Sequence, residues 1–299
     1  MPDAKLPPRA EGSVPLPDGR ALGFAEYGVP DGRLAVWHHG LPGGRRQIPP
    51  AARMAARDLG LRLVCLERPG IGESTNHLYG EIREWAADVA VVADHFGAER
   101  FVVVGLSGGG PYALACGHEL PERVVAIGVL GGLVPTAGDD AAAAGVVALA
   151  NRFNGILTMV RVPFGTALQG FLKVSNPLAD QFYGAFARIM PEGDRKVFAD
   201  PAIREMFIED LTVGGAKQFH AMPNDIVLVG RDWGFRLEDV QTPVRWWHGD
   251  ADPFVGLDQA ERAAARLPHC DLVVRPGESH LGGFAAADEM LTALAADWS

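Results

Sequence analysis

The sequence contains little cysteine. Its 299 residues include three cysteines, scattered at Cys65, Cys116 and Cys270. An odd number of widely spaced cysteines excludes a framework of paired disulfides, and the lack of a CxxC pair or a Cys/His cluster excludes a cysteine-based zinc site. We therefore expect reduced, buried thiols and no metal centre.

Basic residues are also few. Lys and Arg number 27 against 37 Asp and Glu, which gives a net charge of −10, and no run of basic residues occurs. This balance argues against nucleic acid or an anionic membrane as a partner. No window of 18 apolar residues occurs and the N-terminus lacks the hydrophobic core of a signal peptide, so the sequence predicts a cytoplasmic protein. The expected partner is a small-molecule substrate. It leaves the oligomeric state open, a homodimer included.

The chain does contain a regular alternation of strands and helices. From the strand at 34–39 to residue 130, short apolar runs alternate with helical patterns. The run at 100–106 is too continuously apolar to have a face in water. Both features are typical of a parallel sheet that is covered by helices on its two faces.

The alternation stops where a helical, apolar segment begins, and it returns with a strand at 243–249. Because the last strands need a sheet to join, the sequence predicts one α/β domain with a doubly wound, mostly parallel sheet. Residues 1–132 and 236–299 would form this core, and 133–235 would be a helical cap inserted into it. The proline-rich opening is expected to lack regular structure to about residue 12.

The stretch GLSGG places one serine between glycines, directly after a predicted strand and before a predicted helix. Gly105, Ser107 and Gly109 match G-x-S-x-G, the pattern of a sharp strand-to-helix turn that exposes a nucleophilic serine. The neighbours must be small, because side chains at 105 and 109 would collide with the adjacent strand and helix. Ser107 is therefore the predicted nucleophile.

A serine nucleophile needs a base, and the base needs a group that orients it. Asp252 and His280 lie in the loops after the last two predicted strands, at the edge of the sheet where Ser107 lies. The sequence thus predicts a Ser107–His280–Asp252 triad. Asp250 competes with Asp252, but it directly follows Gly249 and more readily shapes the turn.

The negative oxygen that develops during acyl transfer needs hydrogen-bond donors. One candidate is the backbone N–H of Gly108, and the other is that of Leu41 in the loop HHGLPGG. His38 and His39 point to opposite faces of a strand, so they cannot chelate one metal together. We interpret His39 as a structural residue beside the oxyanion site.

These residues carry a resemblance to the α/β-hydrolase superfamily. HHGLPGG, LERPGIGES, GLSGGGPYALA, HGDADPFV and PGESHLGG occur in the order of that family. The resemblance covers roughly residues 20–132 and 236–299 and implies its fold and a hydrolase activity without a cofactor. Glu67 is a departure, because the family usually has Asp there, and this should alter hydrogen bonding in the turn. Leu281 is another, because Gly commonly follows the histidine.

Within that family, a serine nucleophile argues against the branches that use aspartate, such as haloalkane dehalogenases and epoxide hydrolases. The resemblance implies an esterase that cleaves esters of small or apolar acyl groups through an acyl-enzyme. Serine aminopeptidases, C–C bond hydrolases and haloperoxidase-like perhydrolases stay open. Glu205, Glu209 and Asp210 could hold the ammonium group of an aminopeptidase substrate, although a solvated helix face also explains them.

A non-catalytic small-molecule receptor on the same scaffold is the alternative from a different functional class. The apolar stretch 153–172 suggests a pocket for the acyl or alcohol group, with Phe164 and Phe171 as candidate substrate contacts. Packing of the cap on the core explains most of the same residues.

Overall fold

The computed structural model of the chain describes residues 6–144, 152–175, 181, 183–184, 187–188, 190–215 and 217–298. Eight strands form one sheet, numbered in chain order as β1 Ala10–Pro15, β2 Ala21–Gly28, β3 Arg33–His38, β4 Leu61–Leu66, β5 Phe101–Leu106, β6 Val124–Leu130, β7 Val244–Gly249 and β8 Cys270–Arg275.

The strands lie side by side in the order β1-β2-β4-β3-β5-β6-β7-β8. The pairs β1–β2 and β2–β4 are antiparallel, and every later pair is parallel. The chain runs from β3 to β4 on one side of β3 and then crosses to β5 on the other side. Loops that follow β3 and β5 therefore diverge, and this is the position at which parallel α/β sheets form a crevice for ligands.

Helices pack on both faces of the sheet. They are α1 Pro50–Asp58, α2 Trp85–His95, α3 Gly110–Glu119, α8 Leu257–Ala264, α9 Gly282–Ala285 and α10 Ala287–Ala296. Successive strand residues enter opposite cores, since Val103 packs with α2, α3 and α8 while Val104 packs with α1 and α10. The predicted doubly wound, mostly parallel sheet is confirmed.

Four helices with described bounds lie between β6 and β7: α4 Asn154–Ser175, α5 Glu192–Phe198, α6 Pro201–Asp210 and α7 Ala221–Val229; we call them the inserted helices. They lie in the segment where the sequence predicts the cap, whereas the division at residues 132 and 236 stays a prediction. In the described part of the chain, no helix is both long and apolar enough to cross a membrane.

The prediction for the opening segment is wrong in part. β1 begins at Ala10 and pairs with β2 along its whole length, so regular structure starts before residue 12. β1 is an edge strand, and Val14 is its one buried residue. Backbone pairing with β2 holds this strand in place, and few of its side chains are buried. Its sequence therefore lacks the apolar pattern by which a strand is recognised.

Candidate active site

Ser107 occupies a sharp turn between β5 and α3. It is the first residue of a short 3₁₀ turn, Ser107–Gly109, and its φ of 49° lies in the left-handed region that residues other than glycine rarely adopt. A Cβ atom at Gly109 would lie 2.2 Å from the carbonyl oxygen of His38, and one at Gly105 would lie 2.5 Å from that of Gly109. The turn can therefore form only with glycine on both sides of the serine.

Three polar side chains meet at the carboxyl edge of the sheet. Ser107 Oγ lies 2.7 Å from His280 Nε2, and His280 Nδ1 lies 2.7 Å from Asp252 Oδ2. All three residues are buried. Because an ionised carboxylate can only accept, Nδ1 carries the imidazole proton and Nε2 is left to accept the proton of Ser107. The structure thus brings the predicted nucleophile, base and acid into one hydrogen-bonded chain.

The surroundings of Asp252 keep it ionised. Burial raises its pKa, but the hydrogen bond and charge of His280 and the backbone N–H groups of Val255 and Phe254 outweigh burial and lower the pKa below its ordinary value. Oδ1 accepts those N–H groups at 2.8 Å from Phe254 and 3.0 Å from Val255. His248 lies 3.6 Å from Oδ2, but burial lowers its pKa, and its Nε2–H donates to the carbonyl of Val255. Oδ2 of Asp252 therefore accepts its hydrogen bond from His280 rather than from His248.

Asp250 has a different place. Its Oδ1 accepts the backbone N–H of Gly277 at 2.7 Å, which ties the loop after β7 to the loop after β8. Asp250 thus shapes the loop, which is the role predicted for it from the sequence.

Gly108 and Leu41 lie against each other beside the serine. A Cβ atom at Gly108 would lie 2.7 Å from Leu41 Cβ and 3.4 Å from the Leu41 nitrogen. A Cβ atom at Gly40 would lie 3.7 Å from Ser107 Cβ. The structure thus places the two predicted oxyanion donors next to each other and close to Ser107.

The two histidines of the HHGLPGG stretch are buried and make separate contacts. Nδ1 of His38 bonds the carbonyl of Val104 at 3.1 Å, and Nδ1 of His39 bonds the carbonyl of Gly40 at 2.8 Å. Burial lowers the pKa of His38 to about 3 and that of His39 well below its ordinary value. Both rings are therefore neutral near pH 7, and His39 supports the backbone beside Leu41.

A side chain within the loop and one from a distant helix hold the β3 loop, residues 39–49. Gln47 Oε1 accepts the N–H of Gly40 at 2.6 Å, and its Nε2 donates to the carbonyl of Pro42 at 2.9 Å. Asp210, at the end of α6, accepts the N–H of Gly44 at 2.7 Å. The sequence gives no sign of the role of Gln47. Asp210 is interpreted there as a binder of an ammonium group or as part of a solvated helix face, and the second interpretation is wrong because Asp210 is buried. No spacing pattern marks either contact.

Arg68 also holds the β3 loop, and the sequence does not predict this role. Its Nη1 and Nη2 donate to the carbonyls of His39 and Gly40 at 2.6 and 2.8 Å, and its Nε donates to Asp225 of α7 at 2.8 Å. The one sequence feature that points to Arg68 is the RPGIGES turn, of which it is the first residue. A turn motif alone does not say where a long side chain reaches.

Glu67, the departure from the family pattern, takes part in the same region. Its Oε2 accepts the N–H of Glu73 at 2.7 Å, and Oε1 pairs with Arg45. Burial raises the pKa of Glu67 to about 7, although the Arg45 charge opposes the shift. The Glu67 side chain therefore binds both the turn and the β3 loop, whereas a difference from Asp in turn bonding stays a prediction.

The two candidate substrate contacts lie on α4. Phe164 is 40% exposed and Phe171 is 54% exposed. Several other apolar residues of the same helix are exposed as well, among them Met159 and Val174. A role of Phe164 and Phe171 in binding substrate stays a prediction.

Residues 36–286 of the chain match the sequence pattern of the alpha/beta hydrolase fold family. The bifunctional esterase/perhydrolase DCH of Acinetobacter calcoaceticus is 25% identical over 283 residues, which are 90% of this chain and 92% of that protein. A proline iminopeptidase of Arabidopsis thaliana is 29% identical over 127 residues, which are 42% of this chain. That stretch is 33% of the plant protein, so the chain spans about a third of its length.

Among solved structures, a hydrolase from Pseudomonas aeruginosa superposes with a TM-score of 0.69. The match covers 96% of this chain and 98% of the other at 15% identity. At this level of identity, the similarity shows only that the two chains share a fold.

Proposed function

On the premise that the chain belongs to the α/β-hydrolase family, we propose that it is a serine hydrolase of carboxylic esters. The observation that carries the proposal is the chain of two 2.7 Å contacts from Ser107 through His280 to Asp252. Its acyl substrates would be small or apolar, as the apolar inserted helices suggest.

In this proposal, His280 Nε2 takes the proton of Ser107 as Oγ attacks the ester carbonyl carbon. Asp252 stabilises the imidazolium that forms, and the N–H groups of Gly108 and Leu41 donate to the tetrahedral oxyanion. His280 then protonates the departing alkoxide and leaves an acyl-enzyme on Ser107. Water, deprotonated by His280, attacks the acyl carbon and releases the carboxylic acid.

A second candidate activity is perhydrolysis, in which hydrogen peroxide instead of water attacks the acyl-enzyme and gives a peracid. Similarity to the Acinetobacter esterase/perhydrolase over 90% of the chain favours it. The geometry of the acidic residues gives the aminopeptidase alternative less support. Glu209 pairs with Arg46, and Asp210 accepts backbone N–H groups of the β3 loop, so these two carboxylates already have partners.

The proposed function is tested with p-nitrophenyl esters of two, four and eight acyl carbons. We expect turnover by the wild type, labelling of Ser107 by a fluorophosphonate, and loss of nearly all activity in a folded Ser107→Ala variant. Saturable ester binding without turnover by the wild type would favour the receptor alternative. A fluorophosphonate adduct on another residue would refute the assignment of the nucleophile. Peracid formation from acetate and hydrogen peroxide tests the second activity.

A further inference from the structure

Arg68 contacts the peptide group that carries the candidate oxyanion donor. The carbonyl of Gly40 and the N–H of Leu41 belong to one planar peptide unit, so the direction of one fixes the direction of the other. Arg68 Nη2 donates to that carbonyl at 2.8 Å, and His39 Nδ1 bonds it at 2.8 Å. Two donors on the oxygen also polarise the unit and make its N–H a better donor.

The guanidinium group is itself held in one orientation. Nη1 donates to the carbonyl of His39 at 2.6 Å, and Nε donates to Asp225 Oδ2 at 2.8 Å. Tyr112 of α3 donates its hydroxyl to Asp225 Oδ1 at 2.8 Å, and its ring lies 4.9 Å from the guanidinium carbon. The side chains of Arg68 and Asp225 are 1% and 5% exposed. Three fixed donor contacts of a planar group leave it little freedom to turn.

Asp225 belongs to α7, one of the inserted helices, whereas Arg68 belongs to the sheet domain. A buried guanidinium that lost this carboxylate would keep its charge without a partner, which is costly in a dry interior. The contact therefore connects an inserted helix to the backbone beside Ser107.

We propose that Arg68 and Asp225 are positioning residues that set the direction of the Leu41 N–H in the oxyanion site. Through them, α7 takes part in stabilising the transition state. The inference rests on the proposed ester hydrolysis.

The main test variant is Arg68→Lys, which keeps the charge but has one nitrogen where three are needed. Complete loss of an oxyanion donor costs about 10²–10³ in kcat, so misdirection of Leu41 should lower kcat about 10- to 100-fold with little change in KM. Asp225→Asn should act in the same direction. Tyr112→Phe, which removes one hydrogen bond and keeps the ring, should have a smaller effect.

Affinity for an alkyl boronic acid separates positioning from a merely structural role. The boronate forms a tetrahedral adduct with Ser107 and places an oxygen in the oxyanion site. Its affinity should fall in parallel with kcat across the folded variants, and the midpoint of the pH profile should not move. Arg62→Lys is the matched control, since Arg62 is also ion-paired, to the buried Glu26, and lies over the ring of Phe96, but these partners lie in β2 and directly after α2 rather than in the β3 loop. It should change stability and leave kcat unchanged.

Unchanged boronate affinity in folded Arg68→Lys and Asp225→Asn would overturn the inference, as would an equal loss of kcat in Arg62→Lys. If Arg68→Lys does not fold, Asp225→Asn and Tyr112→Phe decide the question in the same assays. A wild type that neither hydrolysed esters nor bound the boronate would refute the proposed function and the inference together. An active wild type with unaffected variants would refute the inference alone.

Discussion

Replacement of Asp252 by asparagine should almost abolish turnover without unfolding the chain. Asp252 Oδ1 accepts N–H groups of Phe254 and Val255 at 2.8 and 3.0 Å, so the amide oxygen of an asparagine would take that side. Its NH₂ group would then face His280 Nδ1, which lies 2.7 Å from the present Oδ2. Nδ1 must accept, the ring proton moves to Nε2, and Nε2 can no longer accept the proton of Ser107. In a comparable triad this change lowers kcat by about 10⁴.

The matched control is Asp250→Asn, two residues earlier in the same loop. Asp250 bonds the N–H of Gly277, and an amide oxygen can keep that bond. We expect kcat/KM within about threefold of wild type, as for a surface substitution. The measurement is steady-state hydrolysis of p-nitrophenyl butyrate, with circular dichroism and an active-site titration to count folded sites. If folded Asp252→Asn kept more than a tenth of wild-type kcat, or if Asp250→Asn were the more damaging change, the assignment of the acid would be refuted.

Two further predictions concern stability. Because the folded pKa of Glu67 is raised from 4.5 to about 7, the folded state keeps this proton to higher pH than the unfolded state, and stability is lost as pH rises through that window. The free energy of unfolding of the wild type should therefore fall by on the order of 3 kcal/mol between pH 4.5 and 7, and Glu67→Gln should remove this decline. Urea denaturation that gave the same dependence of the free energy of unfolding on pH for both proteins would contradict this. Gly109→Ala should lower the free energy of unfolding by about 1–3 kcal/mol or more, since its Cβ would lie 2.2 Å from the His38 oxygen. Gly155→Ala, where nothing lies within 4 Å, is its control, and equal melting temperatures of the two variants would show that the turn accommodates a methyl group.

The sheet could be predicted because its buried strands are continuous apolar runs. Every residue of Phe101–Leu106 is buried, and so the run carries the signal by itself. The candidate triad followed from the sheet, because residues that come directly after parallel strands must meet at the carboxyl edge. Ser107, Asp252 and His280 each stand directly after a strand or within a few residues of its end. Local sequence thus determined both the elements and the edge at which they meet.

The support of the candidate oxyanion site could not be predicted in this way. Asp210 bonds Gly44 across 166 residues, and Asp225 bonds Arg68 across 157. Each contact needs only one acceptor at one point of a helix, so it imposes neither periodicity nor a spacing on the sequence. A solvated helix face is also an adequate explanation for acidic residues in a helical insertion, so the sequence around Asp210 does not indicate a buried acceptor.

The two contacts change the expected division of labour within the chain. The sequence analysis assigns substrate choice to the insertion and chemistry to the sheet domain. Yet α6 ends in a carboxylate that accepts the N–H groups of Gly44 and Arg46, and α7 carries the carboxylate that orients Arg68. Both act on the β3 loop, which contains Leu41. On the proposed function, we therefore expect a displacement of either helix by a bulkier substrate or a packing change to reach the backbone beside Ser107, and so to change the turnover rate.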